Sequence, residues 1–400
     1  MQEGDRIYLD HAATGWPKPP GVLEAMGDYQ SRWGAAAGRS STRAAARALR
    51  LLESVRDRLL RQIGGQPPDR LALCSSGTHA LRLAIESILR PGDHVIASAA
   101  EHNSVLRPLV QRERRGEGSW SLWPVDAQGM VDPSQLGEIL QPATRLVILS
   151  HASNVTGALQ PVAQVARQLA SREAFLLVDA SQTVGQLPID VRKLGIDLMA
   201  ATCYKALGGM PGTAFTFVSA RCVDKLAIPW VGGTGSASHQ LAGPWDWTEA
   251  AESGVPNTAA WVSVDAALNW LDSQGIETLR AIAQDRTKRL LAAIRMMPLW
   301  HIIGHQGDCT DWLPLVSLKT DAMLPQEWAA LLDSEFGIEC RAGFHCAGAI
   351  HPFLGTDLIG GTLRFSLGHT TTDHCLTRLQ DAIETWIALG GNEGLCPQPQ

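Results

Sequence analysis

The chain has 400 residues, of which 45% are apolar and 18% charged, and a formal net charge of −6. That length exceeds one ordinary core and predicts a large domain beside a smaller one, while the apolar share excludes a disordered chain. The acidic balance argues against general nucleic-acid binding, and no apolar run nears the roughly 18 residues that a membrane helix needs.

In chain order, the segment Met1–Arg6 is polar and does not read as a secretory signal. An arginine series follows at Arg39, Arg43, Arg47, Arg50, Arg56, Arg58 and Arg61. Arg43, Arg47 and Arg50 are spaced to share a helix face, which either meets an anionic partner or is simply solvated. Apolar strand candidates at 71–74, 94–98, 145–150, 174–179, 197–202 and 213–218 alternate with helical stretches near 79–89, 103–115 and 161–171. This is the pattern of a mainly parallel sheet covered by helices. Arg112, Arg114 and Arg115 read as a charged helix end. Gly232–Ser236 and Pro244–Trp247 mark a break before the long helical stretches 257–273 and 276–296. A smaller α+β part follows, with strands near 313–319, 338–342 and 362–367 and a final helix at 373–389; the tail Cys396–Gln400 is expected to fray. The eight cysteines are scattered without a CxxC pair, which predicts reduced thiols and a cytoplasmic location. Cys340, His345, Cys346 and His351 fit no standard zinc spacing, so no metal is expected.

The residues that carry chemistry stand just beyond these strands, where ligands bind in such sheets. Asp179 ends the run Phe175–Val178, and Lys205 follows the strand at 197–202. A lysine that closes a Schiff base on an aldehyde, with an aspartate that keeps a pyridinium nitrogen protonated, is what a pyridoxal phosphate site requires. The same pair also fits a solvated loop lysine and an aspartate that caps the next helix. Asn154 and Gln182 follow strands in the same way, and two amides there could hold the phenolic oxygen of one ring. Gly77-Thr78-His79 opens a helix after a small-residue turn, which suits phosphate but also an ordinary N-cap. His102, in Glu101-His102-Asn103-Ser104, fits either a ring laid flat on an aromatic cofactor or a satisfied loop histidine.

Taken together, these stretches resemble the class V group of pyridoxal phosphate enzymes, in its cysteine desulfurase and selenocysteine lyase-like branch. The matching segments are Tyr8–Thr14, Ser76–His79, Glu101–Asn103, His151–Asn154, Val178–Gln182, Gly232–Ser236, Gly254–Thr258, Arg341–Ala347 and Thr362–Ser366. They occur in family order from about residue 7 to residue 387. The resemblance implies an α/β protein of the aspartate aminotransferase-like fold type I, with a mainly parallel seven-stranded sheet in the large domain and a smaller α+β C-terminal domain. It divides the chain into an N-terminal segment at the active-site rim (1–20), a large cofactor-binding domain (21–250), interface and connecting helices (251–295), a small domain (296–390) and a tail (391–400).

The resemblance further implies that Lys205 carries pyridoxal phosphate, that Asp179 is its pyridinium partner, and that His102 stacks on the ring. Asn154 and Gln182 would face the phenolic oxygen, Thr78 and Thr202 the phosphate, with Gly77, His79 and Tyr204 in the same site. Arg364 would clamp the substrate carboxylate, with Arg341, Ala13 and Asn154 on the substrate side, and Cys346 would take the sulfur. The implied reaction turns L-cysteine into L-alanine with a persulfide on Cys346. A sulfur-acceptor protein or small thiol would then receive the sulfur, and the enzyme would be a homodimer. His345 or Arg341 could raise the thiolate fraction of Cys346. Departures from the family pattern are Tyr204 in place of histidine, Val255 in place of a threonine that reaches the neighbouring subunit's phosphate, and His11 and His79 in place of asparagine and glutamate. A class V aminotransferase would need no cysteine, a lyase acting on L-selenocysteine shares nearly every residue, and a non-catalytic binding protein is disfavoured by Lys205 together with Cys346.

Overall fold

The apolar runs pair as their burial demands. In the computed structural model the strands are β1 (Ile7–Tyr8), β2 (Arg70–Cys74), β3 (His94–Ser98), β4 (Ser119–Trp123), β5 (Thr144–Ser150), β6 (Phe175–Asp179), β7 (Leu198–Thr202) and β8 (Ala214–Val218), then β9 (Trp300–Ile303), β10 (Leu315–Thr320), β11 (Ile338–Glu339), β12 (Arg341–Gly343) and β13 (Thr362–Ser366). The structure describes residues 6–388 apart from 39–40, 237–238, 240, 243–245, 298, 306–308, 310 and 321–322. Arg39, Pro244, Trp245 and the tail therefore lie outside the described residues.

Seven strands form the large sheet in the order β2-β8-β7-β6-β5-β3-β4. Five of them, from β7 to β4, run parallel, and β8 is antiparallel to both its neighbours. Strands β3, β6, β7 and β8 are buried at every position. Helices cover both faces, which is why these segments read as continuous apolar runs. Strand β4 was not among the expected strands. Its sequence, Ser-Trp-Ser-Leu-Trp, sits at the sheet edge and breaks the apolar run with serines.

The helix Arg43–Gln62 buries Ala45, Ala48, Leu52, Val55 and Leu59 at helical spacing. Arg43, Arg47 and Arg50 lie on its exposed side, as a solvated face would. Arg56 and Arg58 do something else. Arg56 forms a two-point pair with Glu252 (3.2 and 2.6 Å), whose carboxylate also accepts the Leu73 amide, and Arg58 reaches Asp265 and Asp272. The Arg58 pairs tie the helix to Thr258–Gln274, and the Arg56 pair ties it to the end of the short helix Trp247–Ala251.

The smaller sheet is antiparallel, ordered β12-β13-β10-β9, and β1 pairs in parallel with β11. The single strand expected at 338–342 is divided at Cys340, because Ile338–Glu339 pairs with β1 while Arg341–Gly343 pairs with β13. The N-terminal segment thus starts beside β11, meets the small sheet at the Asp10–Ser366 bridge and crosses to the large one, where the Gly15 amide meets the Tyr204 carbonyl at 3.1 Å. Beneath the small sheet, Trp328 is fully buried, edge-on to Trp300 (5.3 Å between centroids) and against Trp386 (4.5 Å), with its N–H on Thr320. Trp328→Ala is expected to cost about 3–5 kcal/mol, as truncation of a large core side chain does. Urea unfolding measures this, and a loss below about 1 kcal/mol would contradict the packing.

Candidate active site

Strands β5, β6 and β7 deliver their C-terminal ends side by side. Ser150 lies opposite Asp179, and Asp179 opposite Ala200. Asp179 accepts the Ser181 amide at 2.9 Å, which orients its carboxylate beyond the strand end. Lys205 lies three residues past β7. His102, Asn154, Asp179, Gln182 and Lys205 converge on one cavity, together with Ser150, Ala152 and Ser181, which the sequence reading had not assigned. Burial lowers the Lys205 ammonium to about 8 against the upward pull of Asp179, so a neutral amine forms readily.

The backbone at Lys205 is braced from the N-terminal segment. The Tyr204 carbonyl accepts from the Gly15 amide, from Lys18 Nζ at 2.8 Å and from Thr14 Oγ1 at 3.4 Å. A Cβ at Gly15 would lie 2.5 Å from the Lys205 carbonyl oxygen, so only glycine permits this approach.

At the other end, the helix Gly77–Ile88 starts from Ser76, whose side chain accepts the His79 amide. Such a start leaves first-turn amides, including Gly77 and Thr78, without intrahelical partners. Thr78 Oγ1 lies 2.8 Å from Ser104 Oγ, which is 2.9 Å from His102 Nδ1. His102 Nδ1 also accepts the Ser104 amide, and burial lowers the imidazole's pKa. Thr202 Oγ1 is buried without a partner among the described residues. A Cβ on Gly77 would lie 2.7 Å from Thr202 Cγ2, so glycine lets the helix start and β7 meet. Tyr204 is kept a neutral phenol by burial and Asp179. His79 is engaged by Ser75, with its ring 5.4 Å from Trp230.

Arg364 and Arg341 are register partners on β13 and β12. Arg364 has no exposed surface; it donates to Asp10 Oδ1 at 2.7 Å and to the Asn154 carbonyl at 2.9 Å, and its Nε has no partner among the described residues. Arg341 donates to Cys346 Sγ at 3.3 Å, and that cysteine is exposed. His345 and Cys346 both hold left-handed backbone, with φ of 49° and 60°. The turn is pinned by Asn154 Nδ2 on the His345 carbonyl (2.6 Å) and by the Asn103 amide on the Cys346 carbonyl (2.7 Å). His345 itself is buried with Nε2 near Thr362, and burial holds it well below the ordinary histidine range. Of the two groups expected to act on the thiol, Arg341 reaches it and His345 remains a neutral anchor. Gln182 donates to the Ala12 carbonyl at 3.1 Å, beside Ala13, whose amide bonds Asp10.

Two carboxylates escaped the sequence reading. Asp10 lay inside a matching segment without a role, and only the fold shows its pairing with Arg364. Glu101 is wholly buried, accepting Ser98 Oγ (2.5 Å), the Ser150 amide (2.6 Å) and Ser150 Oγ (3.1 Å). Among the described residues no cluster of His, Cys, Asp or Glu is arranged to hold a metal, and no helix is long and apolar enough to cross a membrane.

Residues 7–379 match the aminotransferase class-V family. The chain belongs to that family. Among curated relatives, a probable cysteine desulfurase of Methanothermobacter thermautotrophicus is 28% identical over 96% of both chains, and the cysteine desulfurase CsdA of Escherichia coli is 28% identical over 96% of this chain and 94% of its own. Among solved structures, CsdA from Escherichia coli, with an S-sulfonic acid, superposes with a TM-score of 0.84 at 26% identity, covering 96% of this chain and 95% of that one. The apo cysteine desulfurase of Thermococcus onnurineus has the same fold, with a TM-score of 0.87 at 23% identity over 96% and 95% of the two chains. Class-V aminotransferases use pyridoxal phosphate, and the residues present fit it. A half-buried lysine with a lowered pKa faces an aspartate, and a buried, unpartnered Thr202 hydroxyl lies beside a helix start with free amides.

Burial raises the Glu101 carboxyl to about 7, with Asp179 adding to the rise. An unfolded glutamate titrates near 4.3, so between about 4.3 and 7 the folded chain keeps a proton that the unfolded chain has lost, and stability falls as pH rises. Wild type is therefore expected to lose about 3 kcal/mol relative to Glu101→Gln between about pH 4 and pH 8. Urea unfolding of the cofactor-free proteins checks this; a pH-independent difference would mean that Glu101 is ionised throughout.

Proposed function

We propose that this protein is a cysteine desulfurase that converts L-cysteine to L-alanine and receives the sulfur on Cys346. The observation that carries the reading is an exposed thiol held 3.3 Å from Arg341, on a turn tied through Asn154 and Asn103 to the cavity of Lys205 and Asp179. The names of the relatives support it.

Pyridoxal phosphate, when bound, supplies an electron sink for the charge that develops at the substrate Cα. The first-turn amides at Gly77 and Thr78, with the Thr202 hydroxyl, would hold its phosphate. Asp179 would hold a proton at the ring nitrogen, His102 would cover one face, and Asn154 and Gln182 would line the edge. Lys205 is suited to take the Cα proton at Nζ, because its lowered pKa leaves a neutral amine available near neutral pH. Arg364 and Arg341, adjacent on paired strands, would orient the substrate carboxylate. Cys346 Sγ then attacks the substrate sulfur. The Cβ–S bond breaks, its electrons remain with the carbon, a proton completes the methyl group, and the sulfur stays on Cys346 as a persulfide.

L-selenocysteine fits the same residues as an alternative substrate. The persulfide passes to an acceptor protein or small thiol. The reading includes a cytoplasmic homodimer, for which the Gly254–Thr258 segment, with Val255 69% exposed, supplies the reaching surface. The division near residues 20, 250, 295 and 390 belongs to it too.

Cys346→Ser is expected to bind pyridoxal phosphate and L-cysteine but to release almost no alanine, since an alcohol is a poor nucleophile toward sulfur. Mass spectrometry of cysteine-treated wild type should find added sulfur on the Cys346 peptide. Full turnover by the variant, with no sulfur on that peptide, would exclude the desulfurase reading in favour of an aminotransferase or a simple lyase. Arg364→Lys should weaken productive substrate binding roughly 10- to 200-fold, because a lysine cannot reproduce the planar two-point contact, with cofactor affinity nearly unchanged. Steady-state kinetics unaltered by that change would place the carboxylate elsewhere.

A further inference from the structure

A larger cavity, about 60 Å³, shares Lys205 with the site above but none of its other residues. Its walls are unusually aromatic: His11, Trp270, Trp312 and His369 all line it. The Trp270 and His369 rings are 4.8 Å apart, and His11 lies 6.5 Å from His369. Trp270 and His369 also line an adjoining groove of about 420 Å³, so the chamber opens outward there. Chamber and groove together have room for a small organic ligand.

Two observations say what kind. Among the described residues, buried polar atoms of three lining side chains have no partner: His11 Nε2, Trp312 Nε1 and Gln186 Oε1. Each unmet group costs about 1–3 kcal/mol until a ligand or water reaches it. The groove also carries two half-buried cations, Lys18 and Arg286, with no carboxylate partner among the described residues. Burial pushes both His11 and His369 toward neutrality, and the positive charge of Lys18 on both, with that of Arg286 on His369, adds to it. A mouth with two cations and no anion, opening onto a chamber of rings, is complementary to a ligand with an anionic head and a flat apolar body.

We infer that this chamber is a second ligand site, distinct from the substrate cleft, that binds a small planar aromatic carboxylate. Its ring lies among Trp270, His369, His11 and Trp312, and its carboxylate meets the planar fork of Arg286 with the ammonium of Lys18. Because Lys18 also holds the Tyr204 carbonyl, the ligand competes for the group that braces the backbone at Lys205.

Calorimetric titration of the pyridoxal phosphate-loaded protein with indole-3-carboxylate tests the site. Saturable binding of one molecule per chain is expected, undisturbed by excess L-alanine, which occupies the substrate cleft. Neutral indole, and the carboxylate with Arg286→Gln, should each bind at least about 10-fold more weakly, the loss of one charged contact. His369→Leu, which removes a ring from the wall without touching either cation, should weaken binding as well. Absence of saturable heat up to about 10 mM, beyond the weakest affinity that counts as specific, would overturn the inference. So would displacement by L-alanine, which would put the carboxylate on Arg364, or equal binding by wild type and both variants.

Discussion

A single guanidinium joins the parts from which this site is made. Arg364 belongs to β13 of the small sheet, its carboxylate partner Asp10 to the N-terminal segment, and the carbonyl it also holds to Asn154 beyond β5 of the large sheet. The group is wholly buried, so burial alone disfavours its charge, and Asp10 offsets that cost. Removing one partner of a buried pair leaves an uncompensated charge and typically costs about 3–5 kcal/mol. Here the same loss would also release the substrate side from the cofactor side, since Asn154 carries the turn of Cys346 on its amide nitrogen. Among the described residues its Nε nitrogen meets no protein acceptor.

Legibility in the sequence followed burial. Strands β5 to β8 were visible because covered faces demand uninterrupted apolar residues, while β4 was hidden by its serines at the sheet edge. The long helix Arg43–Gln62 was only half visible: its arginines announced an exposed face, but the ion pairs of Arg56 and Arg58 depend on residues about two hundred positions away. The cofactor-side residues could be named because strand ends in a parallel sheet bring chemically distinctive side chains to one edge. Lys205, Asp179, His102, Asn154 and Gln182 do share one cavity. The pairing of Asp10 with Arg364 and the burial of Glu101 could not be read, because neither has a local signature.

The turn at Cys346 shows how direction matters more than proximity in sequence. His345 is the thiol's immediate neighbour, yet its side chain goes inward to Thr362, where burial keeps it neutral. Arg341, five residues back, is the group that arrives at the sulfur. Two successive left-handed residues make that reversal possible, sending one side chain into the core and the next into solvent. Such backbone is costly for residues with a Cβ and persists only where its surroundings hold it. The bonds from Asn154 and Asn103 do that.

The dependence of Lys205 on residues 14–18 also sets an order in time. Those residues follow β1, which pairs with β11 and leads to Asp10 and Ala12, whose partners are Arg364 and Ser366. Ribosomes add roughly 5–20 residues each second, so about 20–70 s separate the emergence of Ile7–Tyr8 from that of its strand partner. During that interval the large sheet has its lysine, but the N-terminal segment has no small sheet on which to dock. The brace at Tyr204 therefore waits for the far end of the chain, and a reactive amine in its final setting is a late product of synthesis rather than an early one.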